Sequence, residues 1–196
     1  MNKGLIGCVV LALGAGLLLA LMAGGVYNRL VGMEEAVDSA WAQVENVYQR
    51  RADLIPNLVA TVKGAAEFER ETFEAVTEAR SRVGQVSLDQ APDPAQMAQF
   101  QAQQDALSSA LSRLLVVVER YPELKATEAF RDLQVQLEGT ENRIAVERRR
   151  YNEVAQQYNT ARRQFPAVLF AGILGFEEKG YFQSKPGADE PPVVEF

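Results

Sequence analysis

Histidine is absent from this 196-residue chain. Its absence removes Ser-His-Asp and Cys-His catalysis, histidine-containing zinc sites and the Glu-x-x-His arrangement of di-iron bundles. It also removes the side chain best suited to changing charge between about pH 5 and 8. The sequence has one cysteine, Cys8, so no internal disulfide can form and cysteine usage is silent about compartment. A basic excess is lacking as well: 20 Lys and Arg face 26 Asp and Glu, a net charge of −6. Nucleic-acid binding needs a concentrated basic surface, and this balance argues against it. The same balance gives no broad attraction to anionic lipid headgroups.

What is present begins with a long apolar run. Gly4 to Val26 holds 23 residues without a charge. As a helix it extends about 34 Å, enough to cross a hydrocarbon core of ~30 Å. The run is too long for a secretory h-region and ends at Leu21-Met22-Ala23-Gly24 without an Ala-x-Ala cleavage site. Residues 1–26 are therefore expected to form a retained transmembrane anchor in contact with membrane lipid. Leu5-Ile6-Gly7-Cys8 looks like a lipidation box, but the apolar run follows the cysteine instead of preceding it, so Cys8 reads as an ordinary buried thiol. Ala12, Gly16, Ala20 and Gly24 recur every four residues and form a stripe of small side chains, the pattern that lets membrane helices approach closely. This stripe is the candidate surface for self-association. Lys3 before the run and Arg29 after it nearly balance under the positive-inside rule.

The remainder reads as helices. Val37, Trp41, Val44, Tyr48 and Ile55 follow a 3–4 residue spacing that marks one buried face. Pro56 predicts a break near Leu54 or Ile55, with Asp53 as the cap of a second helix from Asn57 to Val83. On that helix Leu58, Val62, Ala65, Ala66, Phe73, Val76 and Ala79 supply the apolar face. Glu67, Glu71, Glu74 and Glu78 form a solvated stripe that Arg70 and Arg82 can pair with. Turn formers from Gly84 to Pro94 lead to a third helix, Ala95 to Arg120. Its Leu114-Leu115-Val116-Val117-Val118 run is apolar all round and too short to cross a membrane, so it is expected to fill the bundle or meet another subunit.

The fourth helix is expected from Glu128 to Gln164. Phe130, Leu137, Ile144, Tyr151, Tyr158 and Phe165 recur every seven residues, with Leu133, Val154 and Ala161 in the partner register, a coiled-coil-like seam. Thr140 and Glu147 interrupt it, which favours an intramolecular bundle. Tyr151 and Tyr158, each followed by Asn, are expected to be buried in the seam with their hydroxyls partnered by protein or water. Arg148-Arg149-Arg150 spreads around the axis and reads as surface salt bridging. Residues 166–182 hold a dense apolar cluster, either a short fifth helix or a segment that touches the membrane or a protein. Leu169, Phe170, Ile173, Leu174 and Phe176 are its candidate interaction residues. Residues 183–196 read as a disordered tail. The expected fold class is all-α: a transmembrane helix at 1–26, then a long-helix four-helix bundle over 27–182.

Several blocks resemble the LemA family. They are Tyr27-Asn28-Arg29-Leu30-Val31, Ala40-Trp41, Gln49-Arg50-Arg51-Ala52-Asp53-Leu54-Ile55-Pro56-Asn57-Leu58-Val59, Thr61-Val62-Lys63-Gly64, Glu119-Arg120-Tyr121-Pro122-Glu123-Leu124-Lys125-Ala126, Leu137-Glu138-Gly139-Thr140-Glu141-Asn142-Arg143-Ile144-Ala145, and Arg149-Arg150-Tyr151-Asn152 with Tyr158-Asn159, Phe165-Pro166 and Gly175-Phe176. The chain departs from the usual pattern at Ala65, Phe68 and Ala129, where Tyr, His and Asn are common. The resemblance implies an N-terminal anchor in the bacterial inner membrane, a four-helix bundle and no established catalytic activity or cofactor. It also implies association with other membrane proteins, a membrane metallopeptidase among them, and in one branch with magnetosome membranes. The expected function is thus a non-enzymatic, self-associating scaffold or interaction protein, with a regulatory partner of a membrane protease as the alternative. A carboxylate or Ser-Lys enzyme is the remaining class. It draws on Lys63, Lys125 and the serines Ser108, Ser109 and Ser112, for which spacing fixes no base.

Overall fold

The structure is a computed structural model and describes residues 3–63, 70–84 and 90–184. Every secondary-structure element among the described residues is a helix. The elements are α1 (Lys3–Lys63), α2 (Arg70–Val83), α3 (Pro94–Val118), the single turn α4 (Pro122–Lys125), α5 (Glu128–Arg163) and the single turn α6 (Ala167–Phe170). Ala65, Ala66, Glu67 and Phe68 lie outside the described residues, as do residues 185–196 of the expected tail; Gln183, expected in that tail, is instead tied to Gln101 of α3.

Helix α1 is one unbroken element of 61 residues. Its apolar N-terminal part is almost wholly exposed and its mean hydropathy suits a membrane span. The break expected at Leu54 or Ile55 does not occur, and Asp53 caps nothing: it lies within α1 and accepts a hydrogen bond from Gln49 Nε2 at 2.8 Å. The reason is tertiary. A proline at position 56 has no N–H to give to the carbonyl of Ala52. Arg80 on α2 supplies the missing donor, its Nε reaching Ala52 O at 3.0 Å. Leu58 and Val62 therefore belong to α1, and the second helix is described from Arg70.

The four long helices run up, down, up and down. α1 pairs with α5, and α2 with α3. The pairing is antiparallel by its own contacts: Arg51 meets Glu141, and Trp41 meets Tyr151. α3 begins with a capping box in which the Asp93 carboxylate accepts from Ala95 N and Gln96 N while Gln96 Oε1 accepts from Asp93 N. α5 is capped by Thr127. The seam on α5 forms as its heptads predict. Phe130, Leu137, Ile144, Tyr151 and Tyr158 are buried, and Thr140 is buried with its hydroxyl turned back to Gln136 O. Phe165 breaks the pattern because α5 stops at Arg163, after which the heptad rule has no helix to act on.

Two apolar clusters make up the core. One lies nearer the anchor and joins Leu30, Val37, Trp41, Val44 and Tyr48 to Phe100, Ile144, Tyr151, Tyr158, Phe176 and Phe182. The other, farther out, joins Ile55, Leu58 and Val62 to Phe73, Val76, Leu107, Leu111, Leu114, Phe130 and Leu137. In the apolar run of α3, Leu114, Val117 and Val118 are buried and Val116 is exposed.

Candidate functional site

Between the two clusters sits a polar layer centred on Arg51. Its side chain is only 2% exposed. Nη1 donates to Ser108 Oγ at 3.1 Å and to Glu141 Oε1 at 2.8 Å, Nη2 donates to Gln104 Oε1, and the guanidinium lies 5.0 Å from the Tyr48 ring centroid. Gln104 and Thr140 are buried beside it. The layer links α1, α3 and α5, three of the four long helices. A guanidinium presents five donors in a fixed fork, so one arginine can meet several acceptors from different helices. Arg51 occupies the next position of the buried face after Trp41, Val44 and Tyr48. That register was the signal available in the sequence.

A second constellation is the strap that follows α6. Residues 176–184 run without helix back along α5 and α3. Three side-chain amides hold the strap, each acting as a substitute strand. Asn159 donates to Lys179 O at 2.8 Å and accepts from Lys179 N at 3.0 Å. Asn152 does the same for Phe182, with both bonds at 2.9 Å, and Gln101 for Gln183, at 2.9 and 3.1 Å. An amide carries a donor and an acceptor side by side, which matches the backbone N–H and C=O of one extended residue. The Tyr-Asn pairs thus divide their work: the tyrosine packs in the seam and the asparagine ties the strap. Gly180 passes so close to α3 that a Cβ there would lie 2.6 Å from Met97 Cβ and 2.8 Å from Asp93 O. Lys179 is buried and pairs with Glu34 at 2.7 Å, and Arg162 pairs with Glu178 at 3.2 Å. Phe182 completes an aromatic group with Trp41, Phe100 and Tyr151, and the Arg148 guanidinium covers its ring at 4.4 Å.

Burial pushes the phenols of Tyr151 and Tyr158 well above their ordinary value, helped at Tyr151 by Asp38 and at Tyr158 by Glu34. Burial also raises Tyr48, against the opposing charges of Arg148 and Arg51. Both seam tyrosines are fully buried, as expected. Their hydroxyls differ: Tyr158 donates to Glu177 O at 3.0 Å, whereas the Tyr151 hydroxyl has no hydrogen-bond partner among the described residues.

The serine candidates and Lys125 are engaged elsewhere, and Lys63 is exposed at the C-terminal end of α1. Ser108, Ser109 and Ser112 each donate to the carbonyl one turn back, at Gln104, Asp105 and Ser108. Lys125 Nζ is held by both oxygens of Glu119, at 2.8 and 2.7 Å. Arg70 pairs with Glu74 and Arg82 with Glu78 along α2. Among the described residues, no three His, Cys, Asp or Glu side chains are grouped so as to hold a metal ion.

The two proposed contact surfaces are placed as follows. Ala12, Gly16, Ala20 and Gly24 are all exposed on α1. In the apolar segment, Leu169, Ile173 and Leu174 face outward and Phe170 is half-buried. Phe176 departs from the expectation: it is buried, with its ring centroid 5.7 Å from that of Tyr27. Gly175, at φ 82°, makes the turn that sends Phe176 inward while Ile173 and Leu174 stay outside.

These features define a class: a single-pass membrane protein whose anchor continues without interruption as the first helix of an up-down-up-down bundle. The chain belongs to the LemA family, which it matches over residues 40–196. Its apolar N-terminal helix and its family place it in the bacterial inner membrane. Among characterised relatives it is similar to magnetosome protein MamQ 2 of Paramagnetospirillum magneticum, 29% identical over 187 residues, covering 86% of this chain and 68% of the relative. Magnetosome protein MamQ of Magnetospirillum gryphiswaldense is 27% identical over the same span and coverage. Protein LemA of Metamycoplasma hominis is 24% identical over 160 residues, covering 82% of this chain and 70% of the relative.

Proposed function

We propose that this protein is a non-enzymatic, membrane-anchored scaffold that presents a rigid helical post to partners at the bacterial inner membrane. The continuity of α1 carries the reading, because anchor and bundle share one 61-residue helix. A helix shared in this way transmits position and orientation from the membrane to the bundle surface, which a flexible linker does not do. The polar groups inside the bundle support the same reading. Arg51, Asn152, Asn159 and Lys179 are each bound by two or more helices or by the strap, which is how a fold is fixed in one arrangement. That some relatives bear the name magnetosome protein adds an association with a defined cellular assembly. Self-association runs through Ala12, Gly16, Ala20 and Gly24 in this proposal.

Chemical crosslinking in intact membranes, followed by mass measurement, tests the proposal. A discrete oligomer or a defined partner complex is the expected result, and a solitary monomer with nothing captured sinks it. The finer role, regulation of a membrane metallopeptidase, is read in the same experiment as a peptidase among the captured partners.

A further inference from the structure

The segment from Phe165 to Phe176 reads FPAVLFAGILGF and carries no charge, while Arg162 and Arg163 precede it and Glu177 and Glu178 follow it. It leaves five large apolar side chains exposed: Phe165, Val168, Leu169, Ile173 and Leu174, with Ile173 86% exposed. A cluster of this kind in one short loop marks a contact surface.

The antiparallel register of α1 and α5 says where this loop stands. The Arg51–Glu141 ion pair pins the two helices together. Twenty-two residues lead back from Arg51 to Arg29, and twenty-two lead on from Glu141 to Arg163, the last residue of α5, about 33 Å along either helix. α5 therefore ends level with Arg29, the loop begins two residues on towards the level of Tyr27, and the Trp41–Tyr151 contact has the same register. At the far side of the loop, the Phe176 ring packs on the Tyr27 ring. Tyr27 is the residue that follows the uncharged anchor run ending at Val26. Tyrosine is favoured where the hydrocarbon core meets the headgroups. Both ends of the loop are thus at the height where α1 enters the membrane.

We propose that the loop 165–176 dips into the bilayer that holds the anchor, with Leu169, Ile173 and Leu174 in the interfacial zone. The occupant of this surface is lipid, not a second protein. Insertion is apolar and needs no anionic headgroup, in keeping with the uncharged loop. The bundle then stands on the membrane at two points, the anchor and the loop, which fixes its tilt and its rotation about the anchor. This goes beyond the scaffold reading and rests on the anchor alone.

The test uses the full-length protein with Cys8→Ser, so that one introduced thiol carries an environment-sensitive dye. Ile173→Cys and Leu169→Cys report on the loop. Both residues are exposed, so neither substitution removes core packing. Ala129→Cys, exposed at the start of α5 and about 51 Å along that helix from its end at Arg163, is the distal control. Each protein is placed in vesicles of phosphatidylcholine alone, with doxyl-labelled lipid or aqueous iodide as quencher. The expected result is blue-shifted emission at 173 and 169, quenching by the doxyl lipid, and shielding from iodide, with the opposite pattern at 129. Loop labels as open to iodide as the control would overturn the proposal. Labels shielded from both quenchers would also overturn it, because protein and not lipid would then cover the loop.

Discussion

Arg51 holds the middle of the bundle at a cost. Removing an ion from water is expensive, and the guanidinium recovers that cost only through Glu141, Gln104 and Ser108 together. Replacing it with methionine keeps the bulk but leaves the buried Gln104 oxygen without its donor. Arg51→Met is expected to destabilise the full-length protein in detergent by about 2 kcal/mol, measured by thermal or urea unfolding. Adding Gln104→Leu is expected to recover most of that loss, since an apolar pair needs no partner. An additive double mutant would mean that the two groups act independently. The tyrosines give a contrast at the same scale. Tyr158→Phe loses the bond to Glu177 O and should cost about 1 kcal/mol, while Tyr151→Phe removes a hydroxyl with no partner among the described residues and should be neutral or stabilising. Both phenols have raised pKa values when folded, against 10.0 for the free group. Above that pH the unfolded chain gives up protons that the folded chain retains. Stability is therefore complete below about pH 10 and declines as pH rises, and the Tyr151→Phe/Tyr158→Phe pair should flatten the decline in an alkaline unfolding series. The burial of these rings was legible in the heptad spacing. The orphan hydroxyl was not, because it depends on what the strap places above the seam.

Pro56 and the strap show where local rules end. A proline within an apolar periodic stretch predicts a break, and the rule is sound for an isolated helix. Here one side chain from α2 supplies the missing donor, and no reading of residues 50–60 alone reveals an arginine at position 80. Pro56 is exposed, so Pro56→Ala removes no packing and restores the backbone bond. It should stabilise the protein by on the order of 1–3 kcal/mol. Arg80→Ala should weaken the wild type by less than about 1 kcal/mol and have no effect beside Pro56→Ala. A double-mutant cycle on unfolding midpoints checks both, and equal effects of Arg80→Ala in the two backgrounds would refute the account. For the strap, the sequence marked Asn152 and Asn159 only as neighbours of tyrosines. Their partners lie 30 and 20 residues away, respectively, in a stretch with no period to read. Asn152→Ala with Asn159→Ala should raise amide hydrogen exchange across residues 177–183 and leave the α1–α5 seam protected. Unchanged exchange in the strap would show that Phe182 and the Lys179–Glu34 pair hold it without the amides.

The long helices, the anchor and the seam could be read from composition and period, because those signals are local and each helix shows its buried face in its own sequence. Where the loop stands relative to the membrane could not, since it follows from the register between two helices ninety residues apart in the chain at their ion pair. The anchor itself makes the last prediction. Ala12, Gly16, Ala20 and Gly24 are exposed on α1, and a Cβ at Gly16 or Gly24 would meet nothing within 4 Å. Larger side chains are therefore accommodated in a single copy, and a change in behaviour reports on contact between copies. In lipid the hydrophobic drive between helices is small, so close backbone approach must supply the association, and four small residues one turn apart allow it. Gly16→Leu with Ala20→Leu fills the centre of the stripe and forces the helices apart. It should reduce crosslinking between full-length copies in membranes at matched expression, while the helical content and unfolding midpoint of the bundle stay the same. If crosslinking is unchanged, the stripe plays no part and any assembly is made by the bundle surface. If the midpoint falls as well, the substitutions have disturbed the fold, and Gly16→Ala with Ala20→Val, a smaller step on the same face, should then give an intermediate loss of crosslinking with the bundle intact.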